Sequence, residues 1–242
     1  VAPSTTAAEL AFEPPEETRP DGEGPFPVVV MVHGGGWVAG DGSGFRPLAR
    51  FLADEGFIAL NAEYTLATPE HPGFPDALDD IACVVQYARS VDGSDGTVVL
   101  LGHSAGAHIA AVVALTGDLY GQGCPYPGDP VPERFIGLAG PYDAERVGFI
   151  MNPFFGGNAS ELPDAWRAGN PQLLTDQNPG LETLLIHGDS DGIVPIDFSY
   201  DFAAALEASG SEVLVEPVEG ATHLMVIEPG IVGDLIATWL LR

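Results

Sequence analysis

Lysine is missing from the 242-residue chain: its eight basic residues are all arginine, set against 35 acidic ones, for a formal charge of −27. A surface this negative repels phosphate backbones and anionic membrane surfaces, which argues against nucleic acid as a partner. Cysteine is almost as scarce, with only Cys83 and Cys124 present. Two such residues do not make a zinc site, which needs three or four ligands in paired spacing, so they are either a disulfide or two buried thiols. A disulfide closing that loop would contribute about 4 kcal/mol in the chain-entropy picture and would point to an oxidising compartment. Long apolar runs are lacking too. A membrane span needs roughly 18 apolar residues, whereas the longest runs here, such as Val28–Val32, are strand-length.

What is present describes a globular protein. Apolar residues make up 45% of the chain, enough for a core and too many for a disordered segment. The opening Val1–Leu10 is small and polar, as in stretches that follow a signal cleavage site. With the acidity, this leads us to expect an exported protein, secreted or periplasmic, or a salt-adapted one. A cytoplasmic protein with a trimmed N-terminus is the alternative.

Short buried strands alternate with amphipathic helices along the chain. Strands are expected at Val28–Val32, Phe57–Ala62, Thr97–Leu101, Phe135–Leu138, Leu181–His187 and Val213–Val218. Helical spacing marks Gly44–Gly56, Phe74–Ser90, Ala105–Thr116, Phe198–Ser209 and Ile231–Leu241. This alternation specifies an α/β fold with a mostly parallel sheet and helices on both faces. Ala7–Phe12 is a further candidate strand, and the Pro/Glu-rich Glu13–Pro27 reads as a surface loop. Gly140–Pro179 has no clear periodicity and exceeds the usual loop length, so it is expected to cover a site. No repeat or linker interrupts the chain, and a single domain over residues 1–242 is expected.

Gly102-His103-Ser104-Ala105-Gly106 fits G-x-S-x-G and lies between a strand and an alanine-rich helix. On such a sharp turn the Ser104 hydroxyl is pushed clear of the sheet edge, and the flanking glycines let strand and helix approach closely. A serine hydroxyl needs a base to become a nucleophile. His223 follows the last expected strand and would take the Ser104 proton. Asp191, after the penultimate one, would hold the imidazole, with Asp189 in the same loop as its competitor. The remaining histidines are expected to pack or make local hydrogen bonds.

His33-Gly34-Gly35-Gly36-Trp37 follows the first clear strand. Converging backbone N–H groups from Gly35, Gly36 and Trp37, with that of Ala105, would form an oxyanion hole. A phosphate cradle is the other use of such a glycine run, but no phosphate-binding glycine motif accompanies it and there is no lysine to meet a phosphate. Phe154, Phe155, Trp166 and His103 are candidate substrate contacts, the aromatics having ordinary packing as their alternative.

These motifs together resemble the serine esterases of the α/β-hydrolase superfamily that carry H-G-G-G. Tyr64–His71, with Phe74-Pro75 and Asp80, is similar to the corresponding segment of hormone-sensitive-lipase-like esterases. Thr65 departs from that pattern, standing where those proteins usually carry arginine, so the usual ion pair to Asp80 cannot form. The Asn152–Gly157 stretch and the compact length look more like feruloyl or acetyl-xylan esterases. The resemblance implies an α/β-hydrolase fold and an acyl-enzyme on Ser104. The helical N-terminal cap of the lipase-like esterases is expected to be missing, because only 27 residues precede the first clear strand, so no large cap domain is expected. The resemblance also implies a small-molecule ester substrate, and no metal or organic cofactor is implied. Without a large cap the pocket is expected to be shallow and open, favouring short acyl or aryl esters. Hydrolysis of an amide is one alternative, either exopeptidase-like or as in kynurenine formamidases, which the H-G-G and Gly102–His108 tracts also resemble. A non-catalytic binding module on the same fold is another.

Overall fold

A computed structural model describes residues 14–242; the candidate strand at Ala7–Phe12 lies outside them. The elements in order are β1 (Glu16–Thr18), β2 (Phe26–Val32), α1 (Arg46–Asp54), β3 (Ile58–Ala62), α2 (Asp76–Ser90), β4 (Ser94–His103) and α3 (Ala105–Thr116). They continue with β5 (Arg134–Leu138), α4 (Ala144–Val147), α5 (Asn152–Phe155), α6 (Pro163–Ala168), β6 (Glu182–Gly188), α7 (Asp197–Ala208), β7 (Val213–Val218) and α8 (Pro229–Leu240). The seven strands form one sheet in the order β1-β3-β2-β4-β5-β6-β7, parallel throughout except for β1.

Alternation along each strand divides the core into two. Val28, Val30 and Val32 face a cluster that takes in α2, α3 and α7. Val29 and Met31 face the opposite one, with α1 and α8. Because both faces are covered, the strands read as short unbroken apolar runs, and those runs are what located them in the sequence. β3 and β4 flank β2 on opposite sides, so the chain reverses direction across the sheet there. Loops leaving the C-terminal ends of β2 and β4 therefore open side by side at a topological switch point, where such sheets bind ligands.

The structure corrects the reading of two segments. Glu13–Pro27 is not all loop: β1 pairs antiparallel with β3, Glu16 opposite Asn61, and β2 begins at Phe26. A three-residue edge strand with mostly exposed side chains is held by backbone bonds and leaves no apolar alternation to read. Residues 140–180 are not irregular either, since α4, α5, α6 and short 3-10 turns run through them. These pieces are too short to repeat a helical period. Cys83 on α2 is joined to Cys124 in a disulfide. Thr65 replaces the missing ion pair with hydrogen bonds, its backbone N–H and its hydroxyl both donating to Asp80 Oδ2 at 2.7 Å. Among the described residues, no helix is long and apolar enough to cross a membrane.

Candidate active site

Ser104 sits between β4 and α3 with φ 54° and ψ −122°, a left-handed conformation costly for a side-chain-bearing residue. The turn survives because its neighbours permit it. A Cβ at Gly102 would collide with the Gly106 carbonyl, and one at Gly106 with the carbonyls of Val32 and His33. The Ser104 amide is tied to the Leu138 carbonyl at 2.9 Å.

Ser104 Oγ lies 2.9 Å from His223 Nε2, and His223 Nδ1 lies 2.7 Å from Asp191 Oδ2. The carboxylate requires the imidazole proton on Nδ1, which leaves the Nε2 lone pair to accept from the serine hydroxyl. The Asp191 side chain is fully buried. Burial opposes its ionisation, but hydrogen bonds from His223 and from the amides of Val194 and Ile193 outweigh it and hold the carboxyl below its usual range. Asp189 is exposed and accepts instead from the Gly220 amide at 2.7 Å; it does not meet His223. His103 is buried and donates from Nε2 to the His223 carbonyl at 3.0 Å. Burial, with His223 close by, lowers its pKa to about 4, so this ring stays neutral and props the loop that carries His223.

Facing the hydroxyl is the loop after β2. Gly35 has φ 133°, and a Cβ there would strike the Ala39 carbonyl. Gly36 and Trp37 follow with φ of 60° and 65°. All three line the cavity with Ala105, whose amide opens α3, where the first N–H groups have no partner within the helix. His33 Nδ1 donates to the Gly34 carbonyl at 2.7 Å. Trp37 Nε1 donates to His108 Nδ1 at 3.2 Å, and His108 Nε2 donates to the Gly169 carbonyl at 2.8 Å. Burial keeps His108 neutral, with a pKa of about 4. This chain ties the glycine loop to the segment after β5.

The cavity measures about 750 Å³ and is lined by apolar side chains, among them Phe45, Val147, Ile150, Ile193, Phe198 and Leu224. Arg146 and Asp41 lie at its margins and are its charged side chains. Phe154, Phe155 and Trp166 do not line it and are core residues instead, at most 4% exposed. Phe154 packs against Trp37 and His108, with ring centroids 6.0 and 5.5 Å away, and so backs the glycine loop. The sequence offered these aromatics as candidate contacts within a segment expected to cover the site, but which way so short a helix as α5 or α6 points is decided by packing. Trp37 lines the cavity while its ring is buried. Among the described residues, no three His, Cys, Asp or Glu side chains are grouped to hold a metal ion.

This is the α/β-hydrolase fold, carrying a serine, a histidine and an aspartate in hydrogen-bonded sequence. Comparison with known proteins agrees. The family model BD-FAE matches residues 17–126. Esterase LipC of Mycobacterium tuberculosis is 30% identical over 218 residues, covering 82% of this chain and 53% of that protein. A probable isoprenylcysteine alpha-carbonyl methylesterase of Arabidopsis thaliana, ICMEL1, is 28% identical over 83% of this chain and 46% of its own. The chain thus spans about half the length of these curated relatives. Among solved structures, the butyrate-bound esterase Est2 of Thermogutta terrifontis superposes with a TM-score of 0.75 at 20% identity, covering 93% of this chain and 87% of that one. A bifunctional GH43-CE protein of Bacteroides eggerthii superposes with a TM-score of 0.80 at 22% identity, over 93% of this chain and 33% of that one.

Proposed function

We propose that this chain is a carboxylic-ester hydrolase working through an acyl-enzyme on Ser104. The observation that carries the proposal is the unbroken contact from Ser104 Oγ to His223 to Asp191, opposite a backbone loop in which Gly35 leaves no room for a Cβ. In the first half-reaction Ser104 Oγ bonds to the ester carbonyl carbon as its proton passes to His223 Nε2. The oxyanion is met by N–H groups of the Gly35–Trp37 loop and of Ala105. Collapse breaks the bond to the alcohol oxygen, which leaves with the proton held on His223. Water then adds to the acyl carbon, giving its proton to His223, and collapse returns that proton to Ser104 Oγ as the acid departs. Asp191 offsets the imidazolium charge in both halves.

Substrates are short-chain acyl or aryl esters. The cavity is open and apolar, and residues 141–150 contribute Pro141, Arg146, Val147 and Ile150 to it, so the segment after β5 covers one side of the site. Likeness to a butyrate-bound esterase supports the same range. The described residues work as one hydrolase domain, and the Cys83–Cys124 disulfide favours an oxidising compartment, hence export.

Nitrophenyl acetate, butyrate and palmitate, with N-formylkynurenine as an amide arm, test the reading. Turnover is expected to be greatest on acetate or butyrate. Ser104→Ala is expected to lose at least about a thousandfold in kcat with an unchanged melting temperature. Retained activity in that variant overturns the nucleophile, and preference for palmitate overturns the short-acyl class.

A further inference from the structure

His187, at the end of β6, is a titratable group beside the triad that no step above uses. Its side chain is fully buried. Nδ1 lies 2.7 Å from Ser199 Oγ on α7. Nε2 lies 2.9 Å from the Val194 carbonyl and 3.3 Å from Asp191 Oδ2, the oxygen that also accepts from His223. These partners assign the tautomer. An Nε2 lone pair would face two acceptor oxygens and be repelled by both, so the proton is on Nε2 and the Ser199 hydroxyl donates to Nδ1. Asp191 then has four N–H neighbours: the amides of Ile193 and Val194 at 2.8 and 2.9 Å on Oδ1, and the two histidines on Oδ2.

The geometry points to His187 as a positioning residue: its Nε2–H holds Asp191 ionised and turned toward His223, and Ser199 locks the only tautomer able to do so. The inference rests on the hydrolase reading. The titratable groups packed around Asp191 and His223 are His187 from β6 and His103 from β4, and burial lowers the pKa of both. Loss of the His187 donor leaves the carboxylate more basic. It then grips the His223 imidazolium harder and itself protonates earlier on acidification. Either effect moves the acid limb of kcat/KM to higher pH.

Glutamine reproduces an N–H near the Nε2 position, whereas asparagine reproduces only the Nδ1 side. His187→Asn is expected to lose roughly tenfold to a hundredfold, mostly in kcat, as for other residues that orient a reacting group through a neighbour, with the acid limb displaced upward. His187→Gln is expected to recover most of both, and Ser199→Ala to fall between them. A folded His187→Asn with the parent acid limb and kcat overturns the inference, as does equal impairment of the Asn and Gln variants. Nitrogen-15 histidine shifts of the unmodified protein supply a readout independent of turnover. They are expected to show a neutral Nε2–H ring, and an Nδ1–H ring or an imidazolium overturns the assignment. Inertness of the unmodified protein toward every ester would instead overturn the hydrolase reading, and the shifts would still decide the tautomer.

Discussion

The two halves of the site are built in different ways. On the relay side, after β6 and β7, geometry is carried by side chains whose polar atoms are each paired: Ser104, His223, Asp191, His187 and Ser199 form one connected series. On the proposed oxyanion side, after β2, geometry is carried by the backbone itself, in conformations that glycine adopts freely, and side chains act only from behind. A paired side chain can often be replaced by an isostere. A backbone that passes through space where a Cβ would stand cannot, so the two halves should fail differently when perturbed.

The largest expected effect that separates them is within the glycine run. Gly35→Ala forces a Cβ onto the Ala39 carbonyl, so kcat is expected to fall by about a hundredfold or more, with a lowered melting temperature. Gly36→Ala meets no atom within 4 Å and carries only the left-handed backbone cost of about 1–2 kcal/mol. Equal damage from the two, measured by kinetics and thermal melting side by side, would break the claim that steric exclusion shapes this loop.

A smaller effect comes from the buried histidines that brace each half. His103 and His108 have pKa values near 4 in the folded chain, against 6.5 for an ordinary histidine. The unfolded chain therefore binds more protons between those limits. The contribution of each is complete above pH 6.5 and falls by about 1.4 kcal/mol per unit as pH drops toward 4. Asp80, which burial raises, works in the opposite direction. Unfolding of His108→Gln in this window is expected to take up about one proton fewer than the parent, measurable by calorimetry in buffers of different ionisation enthalpy. An unchanged uptake would mean that His108 is not held neutral.

The smallest expected effect sharpens the relay side. Asp189 shares a loop with Asp191 but is exposed and faces the Gly220 amide. Asp189→Asn is therefore expected to keep kcat/KM within about twofold, the amide oxygen still able to accept that bond. A loss comparable to that of removing Asp191 would reassign the acid.

Much of this is legible in the sequence. Strands buried on both faces betray themselves as apolar runs, so β2 through β7 fall within a few residues of their expected places. The loops that end β2, β4, β6 and β7 carry the glycines, serine, aspartate and histidine in an order the fold's connectivity makes meaningful. His187 was readable only as a packed histidine. Its nearness to Asp191 comes from a turn that brings a residue four positions away back onto the carboxylate, and helix or strand periodicity has no signal for that.

Sequence alone determined the layering and the chain order of the site loops, because local sterics and burial periodicity act over a few neighbouring residues. Tertiary structure alone decided that Cys83 and Cys124 are joined, that β1 completes the sheet edge, and that Phe154, Phe155 and Trp166 pack inward while Ile150, Ile193 and Leu224 line the cavity. Each of these depends on where distant segments meet, and for short helices and polar edge strands that meeting is set by how the rest of the core closes around them.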